Sequence, residues 1–147
     1  MENNAFDSIP EDLFYVFRLF YRKLLRTDVG VGSSDTSFPH FAIMRVLDES
    51  GLLPVSEIGK RLMIPKPQMT HFVDKLLKLG LVERLPDTKD RRIINVTLTE
   101  EGRIVLAERK ESIGTNIRKK LSCLQNDEVE KLSASLRILR NIGEKIK

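Results

Sequence analysis

Leu81-Val82-Glu83-Arg84-Leu85-Pro86, then Asp87-Thr88-Lys89-Asp90-Arg91-Arg92, then Ile93-Ile94-Asn95-Val96-Thr97-Leu98-Thr99: runs of Val, Ile and Thr flank an opening of proline, aspartate and cations. β-Branched residues suit a pleated, half-buried surface, and Ile94, Val96 and Leu98 alternate with Ile93, Asn95 and Thr97, so the spacing predicts a hairpin with one buried face. Its connection, about Pro86 to Arg92, is too long for a two-residue turn. It sets Lys89, Arg91 and Arg92 against Asp87 and Asp90 and is expected to project into solvent with a positive tip.

Working upstream, Pro67 to Leu79 reads as an amphipathic helix closed by Gly80. On a helical wheel Met69, Phe72, Val73 and Leu76 face inward, while Pro67, His71, Asp74, Lys75 and Lys78 lie opposite, flanked by Gln68 and Thr70. Before it, Met63-Ile64-Pro65-Lys66-Pro67 is a turn, because each proline biases its predecessor towards extended geometry and the second can open a new helix. Ser56 to Met63 reads as a short helix with Ile58 and Leu62 inward. Gly59, costly in so short a helix, predicts close approach of another helix. Leu52 to Val55 is at most a stub of strand. Two short crossed helices followed by a hairpin with a cationic tip are the pattern of a winged helix-turn-helix. The outward face of the second helix then offers Lys66, Pro67, Gln68, Thr70, His71 and Lys75 to base edges and phosphates in a major groove.

The flanks can be read as support. Ser8-Ile9-Pro10-Glu11 has the form of a capping box and predicts a helix start, with Leu13, Phe14, Phe17, Phe20, Tyr21 and Leu24 as an apolar stripe and Arg18, Arg22, Lys23 and Arg26 as a basic side. That basic side is either a solvated face or one that meets phosphate or an acidic ligand. Val29 to Ser37 reads as a loop. Ser37 caps a helix ending at Gly51, in which Phe38, Phe41, Met44 and Leu47 recur at helical spacing. Thr99-Glu100-Glu101-Gly102 starts another helix, marked by Ile113, Ile117, Leu121 and Leu124. Asn126-Asp127 starts the last, where Val129, Leu132, Leu136, Leu139 and Ile146 keep close to heptad spacing. This seam and the N-terminal helix are expected to form a homodimer, the alternative being an intrachain helical hairpin.

The 147 residues suffice for one domain with its own core. With 41% hydrophobic and 31% charged residues, wholesale disorder is not expected. Twenty-five Lys and Arg against 21 Asp and Glu give a net charge of +4, which suits a polyanionic partner. One cysteine, Cys123, has no intrachain partner for a disulfide, no apolar run precedes a leader-type cleavage site, and no stretch approaches the about 20 apolar residues of a membrane span. A cytoplasmic protein without membrane contact is the expectation. Two histidines and one cysteine make no spaced metal cluster, and there is neither a phosphate-cradling glycine loop nor a paired catalytic constellation. Neither cofactor, metal nor enzymatic activity is expected.

The chain resembles the MarR (multiple antibiotic resistance regulator) family of winged-helix transcription regulators. The resemblance is carried by Val55-Ser56-Glu57-Ile58-Gly59-Lys60-Arg61-Leu62, by Met69 to Leu76 running into Gly80-Leu81-Val82-Glu83-Arg84, and above all by the Asp87 to Arg92 opening followed by Val96-Thr97-Leu98-Thr99-Glu100-Glu101-Gly102. With flanking helices of the expected length it extends to nearly the whole chain. It implies a mostly α fold with a small β-hairpin wing, a winged helix-turn-helix core at about 37–99, and dimerisation helices at about 8–28 and 100–147. The two second helices of such a dimer would enter successive major grooves. In each wing Lys89, Asp90, Arg91 and Arg92 would lie over a minor groove, Arg92 entering it and Asp90 orienting Arg92.

The resemblance also implies a small effector, often a phenolic or other aromatic anion, in the cleft between dimer helices and winged core, where Arg18, His40, Phe41 and Met44 are the candidate lining. Two departures stand out. His71 occupies a position where family members often carry arginine, and Cys123 lies between the last two helices rather than in the N-terminal helix, which argues against peroxide sensing by the family's cysteine scheme. The function expected is a homodimeric, sequence-specific regulator of double-stranded DNA with a near-palindromic operator, a repressor released by ligand. The alternative is an architectural or protein-binding winged helix without sequence preference.

Overall fold

The computed structural model describes residues 4–25 and 36–147. Helix α1 (Ala5–Phe20) begins four residues earlier than the capping-box reading places it. Asn4 is the cap, its side chain accepting the Phe6 N–H at 3.4 Å, so Ser8 bonds back to the Ala5 carbonyl and Pro10 lies inside the helix. A π-helical turn, Tyr21–Leu25, continues it. Arg26 and the Val29–Asp35 loop lie outside the described residues. No residue of α1 is buried.

Helix α2 (Phe38–Ser50) starts at Ser37 as expected. The cap works in reverse: Nδ1 of His40 accepts the Ser37 N–H at 2.9 Å and lies 2.8 Å from the Ser37 hydroxyl. Strand β1 (Leu53–Pro54) leads into α3 (Val55–Leu62), and α4 (Lys66–Lys78) follows after Met63, which takes the left-handed conformation at φ 54°. A Cβ at Gly59 would stand 3.0 Å from Met69 Cγ and 3.1 Å from the Ile64 carbonyl, the close crossing that the glycine predicts.

Strands β2 (Val82–Pro86) and β3 (Ile94–Leu98) form the hairpin, with Val82 opposite Leu98 and Pro86 opposite Ile94. The β1 stub pairs with the other edge of β3, giving an antiparallel sheet of order β1-β3-β2. The expected alternation on β3 holds at Val96 and Leu98, which are buried, but Asn95 is buried too and Ile94 is 42% exposed. The hairpin loop supplies the reason, since its Asp87 carboxylate takes the Asn95 amide.

Phe41, Ile43, Met44 and Leu47 of α2, Ile58 of α3, Met69, Val73 and Leu76 of α4, and Leu81, Val82, Val96 and Leu98 form one core with Leu106 of the next helix. Burying each contributes about 1.5–3 kcal/mol before entropy is counted. Helix α5 (Glu100–Leu121) is capped by Thr99, whose Oγ1 accepts the Gly102 N–H at 3.0 Å and donates to the Gly80 carbonyl at 2.6 Å. Its Arg109 donates to both the hydroxyl and the carbonyl of Thr36, and Lys110 meets Asp48 at 2.8 Å, so α5 is fastened to both ends of α2. Helix α6 (Asn126–Gly143) buries nothing and leaves Leu136, Ile138, Leu139 and Ile142 exposed. Among the described residues no helix is long and apolar enough to cross a membrane.

Candidate nucleic-acid interface

Helix α4 turns Met69, Val73 and Leu76 into the core and half-buries Phe72, which leaves Lys66, Pro67, Gln68, Thr70 and His71 exposed and Lys75 half-buried on its outer side. The Thr70 hydroxyl donates to the Lys66 carbonyl at 3.1 Å, so what it offers a partner is its acceptor lone pairs. Pro67, His71 and Lys75 thus lie away from the core with Gln68 and Thr70 beside them, as the periodicity predicts, and Lys66 stands at the start of the helix.

The hairpin loop is rigidly built. Asp87 Oδ2 accepts the N–H groups of Lys89 and Asp90, both at 3.0 Å, while its Oδ1 accepts Asn95 Nδ2 at 3.0 Å. These bonds, the Asp90 N–H foremost, hold the Asp87 carboxyl below its ordinary pKa. Asp90 accepts the Arg92 side chain twice, from Nε and Nη2 at 3.1 Å each, and its backbone N–H at 3.0 Å. This partner likewise lowers the Asp90 pKa. The Arg92 side chain is 91% exposed, Lys89 and Arg91 are exposed beside it, and the loop is a cationic tip in solvent.

Loop and helix face the same way. Lys66 and Thr70 of α4 line one groove, of about 950 Å³, with Arg84, Arg92, Ile93 and Ile94 of the hairpin. Arg84, which sequence reasoning passed over, donates to Asp74 of α4 at 2.8 Å across this junction. Asn95 and the anchoring role of Asp87 were also missed. An asparagine inside a β-branched strand and an aspartate opening a loop were the available signals.

A second cavity, of about 750 Å³, lies between the π-helical turn, α2, α3 and α5, with Leu24, Phe38, Phe41, Val46, Leu62 and Ile113 in its lining. Of the four candidate effector residues only Phe41 lines it. His40 and Met44 are buried on a neighbouring face of α2, where the His40 ring meets Phe72 edge-on at 5.0 Å, and Arg18 is exposed on α1. Arg45 and Lys110 stand at this cavity, each already paired, with Glu49 at 3.2 Å and Asp48 at 2.8 Å. Cys123 is exposed, its thiol donating to the Lys120 carbonyl at 3.3 Å.

Comparison with known proteins agrees with this geometry. Residues 37–94 match the MarR family model. The helix-turn-helix transcriptional regulator YhbI of Bacillus subtilis is 28% identical over 130 residues, 86% of this chain and 84% of its own length. The transcriptional repressor MdtR of the same organism is 40% identical over 72 residues, 46% of each chain. Streptococcus pneumoniae FabT, solved in complex with DNA, superposes with a TM-score of 0.69 at 22% identity, covering 95% of this chain and 99% of FabT. Through residues 37–94 the chain carries a winged-helix domain that matches the MarR family model, and beyond that core it is similar to transcriptional regulators such as YhbI.

Proposed function

We propose that the protein is a homodimeric, sequence-specific double-stranded DNA-binding regulator, a repressor whose affinity falls when a small molecule binds. The observation that carries this reading is the shared groove: the exposed end of α4 and the Arg92 guanidinium line one concavity, so that helix and wing can engage one duplex together. Lys66, Pro67, Gln68, Thr70, His71 and Lys75 enter the major groove. Lys89, Asp90, Arg91 and Arg92 sit over the minor groove, where a weakly hydrated guanidinium meets concentrated negative potential.

The dimer reading is supported by the unburied apolar sides of α1 and α6, including Phe14, Phe17, Leu136 and Leu139. The repressor reading borrows from MdtR, and DNA binding from the FabT complex. The cavity of about 750 Å³ is the effector site in this reading, because it touches Leu62 of α3 on one side and α5 on the other and is of a size that holds a small molecule.

Selection of bound sequences from random DNA tests the whole. Near-palindromes with half-sites about 10 base pairs apart are expected. Recovery of unenriched DNA would leave a non-specific architectural role instead. Thermal shift and operator release with salicylate-like anions test the effector.

A further inference from the structure

The wing guanidinium is held by a relay that begins inside the sheet. Asn95 is only 4% exposed, the second residue of β3, where a β-branched residue would fit the pleat better. A buried amide without a partner is costly, and this one has a partner, Asp87, which spends one oxygen on it and the other on the backbone of Lys89 and Asp90. Two further bonds of 3.0 Å close the loop, from the Asp87 N–H to the Ile93 carbonyl and from the Ile93 N–H to the Asp90 carbonyl. Asp90, so placed, grips Arg92 by backbone and side chain. No link from Asn95 to Arg92 exceeds 3.1 Å.

The charges make the same point. Asp87 and Asp90 are two carboxylates in a loop that is read above as meeting phosphates, and both would repel them. Their presence there is intelligible when each is committed to holding something else. Arg92, nine-tenths exposed, would lose side-chain freedom on entering a groove, and a guanidinium already held in place loses less.

We propose that Asn95 and Asp87 are positioning residues for the DNA contact of Arg92: Asn95 fixes the Asp87 carboxylate, Asp87 fixes the backbone at Asp90, and Asp90 presents the guanidinium. This inference rests on the reading of the wing as a minor-groove element.

The test uses the full chain and DNA selected by the wild-type protein, with affinity, base preference and melting temperature measured for Arg92→Ala, Asn95→Asp, Asp87→Asn and the Asn95→Asp/Asp87→Asn double variant. Arg92→Ala is expected to weaken binding about tenfold and to flatten the preference at positions under the wing. Asn95→Asp, which sets a carboxylate against Asp87, should reproduce both effects while leaving the preference at positions read by α4 intact. The double variant should restore binding, because an amide at position 87 donates to a carboxylate at position 95 and its oxygen still accepts from the loop backbone. Wild-type behaviour of Asn95→Asp alongside a weakened Arg92→Ala overturns the relay. So does a failure of the double variant to restore binding, or an equal loss of both base preferences with the melting temperature. Wild-type behaviour of Arg92→Ala overturns the wing reading itself.

Discussion

The Arg84 guanidinium on β2 donates to the Asp74 carboxylate on α4 at 2.8 Å, a direct tie between wing and helix-turn-helix. Both side chains are about half exposed, so the pair adds no more than about 1 kcal/mol of stability. Its consequence is electrostatic, because Asp74 occupies a cation that faces the groove. Asp74→Asn is expected to melt within a few degrees of wild type, to bind random DNA more tightly, and to show a smaller ratio of selected to random affinity in competition titrations. An unchanged ratio would remove Asp74 from specificity.

Salt dependence follows from the same cations. If six or more phosphates are neutralised by the dimer, affinity should fall by roughly 10³ between 50 and 200 mM salt. Arg92→Ala, removing one cation from each wing, should reduce the log–log slope by about two. Fluorescence anisotropy across a salt series reads both.

A Cβ at Gly102 would overlap the Leu81 carbonyl, which is itself fixed by accepting the Thr99 N–H at 3.1 Å. Backbone cannot swing aside as a side-chain tip can. Gly102→Ala is therefore expected to cost about 3 kcal/mol or more, against about 1–2 kcal/mol for Gly59→Ala, where the contacts with Met69 Cγ at 3.0 Å and the Ile64 carbonyl at 3.1 Å are tight but do not overlap. Urea unfolding compares the two.

His40 is buried, its Nδ1 takes the Ser37 N–H, and its Nε2 has no hydrogen-bond partner among the described residues. Burial first, then the nearby His71, Arg109 and Lys75, lowers its pKa below the ordinary 6.5. The folded state thus binds a proton less readily than the unfolded chain. The stability this contributes is fully present above pH 6.5 and is lost as pH falls from there through the lowered folded value. Unfolding free energy should drop between pH 7 and 5, and His40→Asn should be less stable at pH 7 with a flatter profile below it. A steep profile retained in that variant would assign the effect elsewhere.

The aromatic side of α1, where Phe17 stacks on Tyr21 of the following turn at 6.2 Å, and the Leu136, Leu139 and Ile142 side of α6 are exposed apolar faces of the kind that mark protein–protein contacts. Phe17→Glu with Leu136→Glu is expected to shift the protein to monomer in sedimentation and to weaken operator binding by at least tenfold, since two linked half-site contacts become independent.

Much of this molecule is local in origin. Proline spacing around Lys66, the glycines at 51 and 80, threonine before two glutamates at 99, and the alternation through Val96 and Leu98 each act within a few residues. Elements and inward faces could therefore be read from order alone. Even the loop tip was legible, because its cations and carboxylates are neighbours in the chain. The start of α1 lies four residues before the capping-box position because two good caps, Asn4 and Ser8, compete within about one turn.

Tertiary structure decided what distance along the chain concealed. Ten residues separate Asp74 from Arg84 and eight separate Asp87 from Asn95, and neither pair shares an element. Whether Asn95 faces water or lies under a loop depends on how the hairpin folds over its own sheet. Which face of α2 meets the cavity depends on where α5 lands, so Phe41 lines it and His40 turns to Phe72. Periodicity reports that a face is covered; what covers it is set by packing between elements remote in sequence.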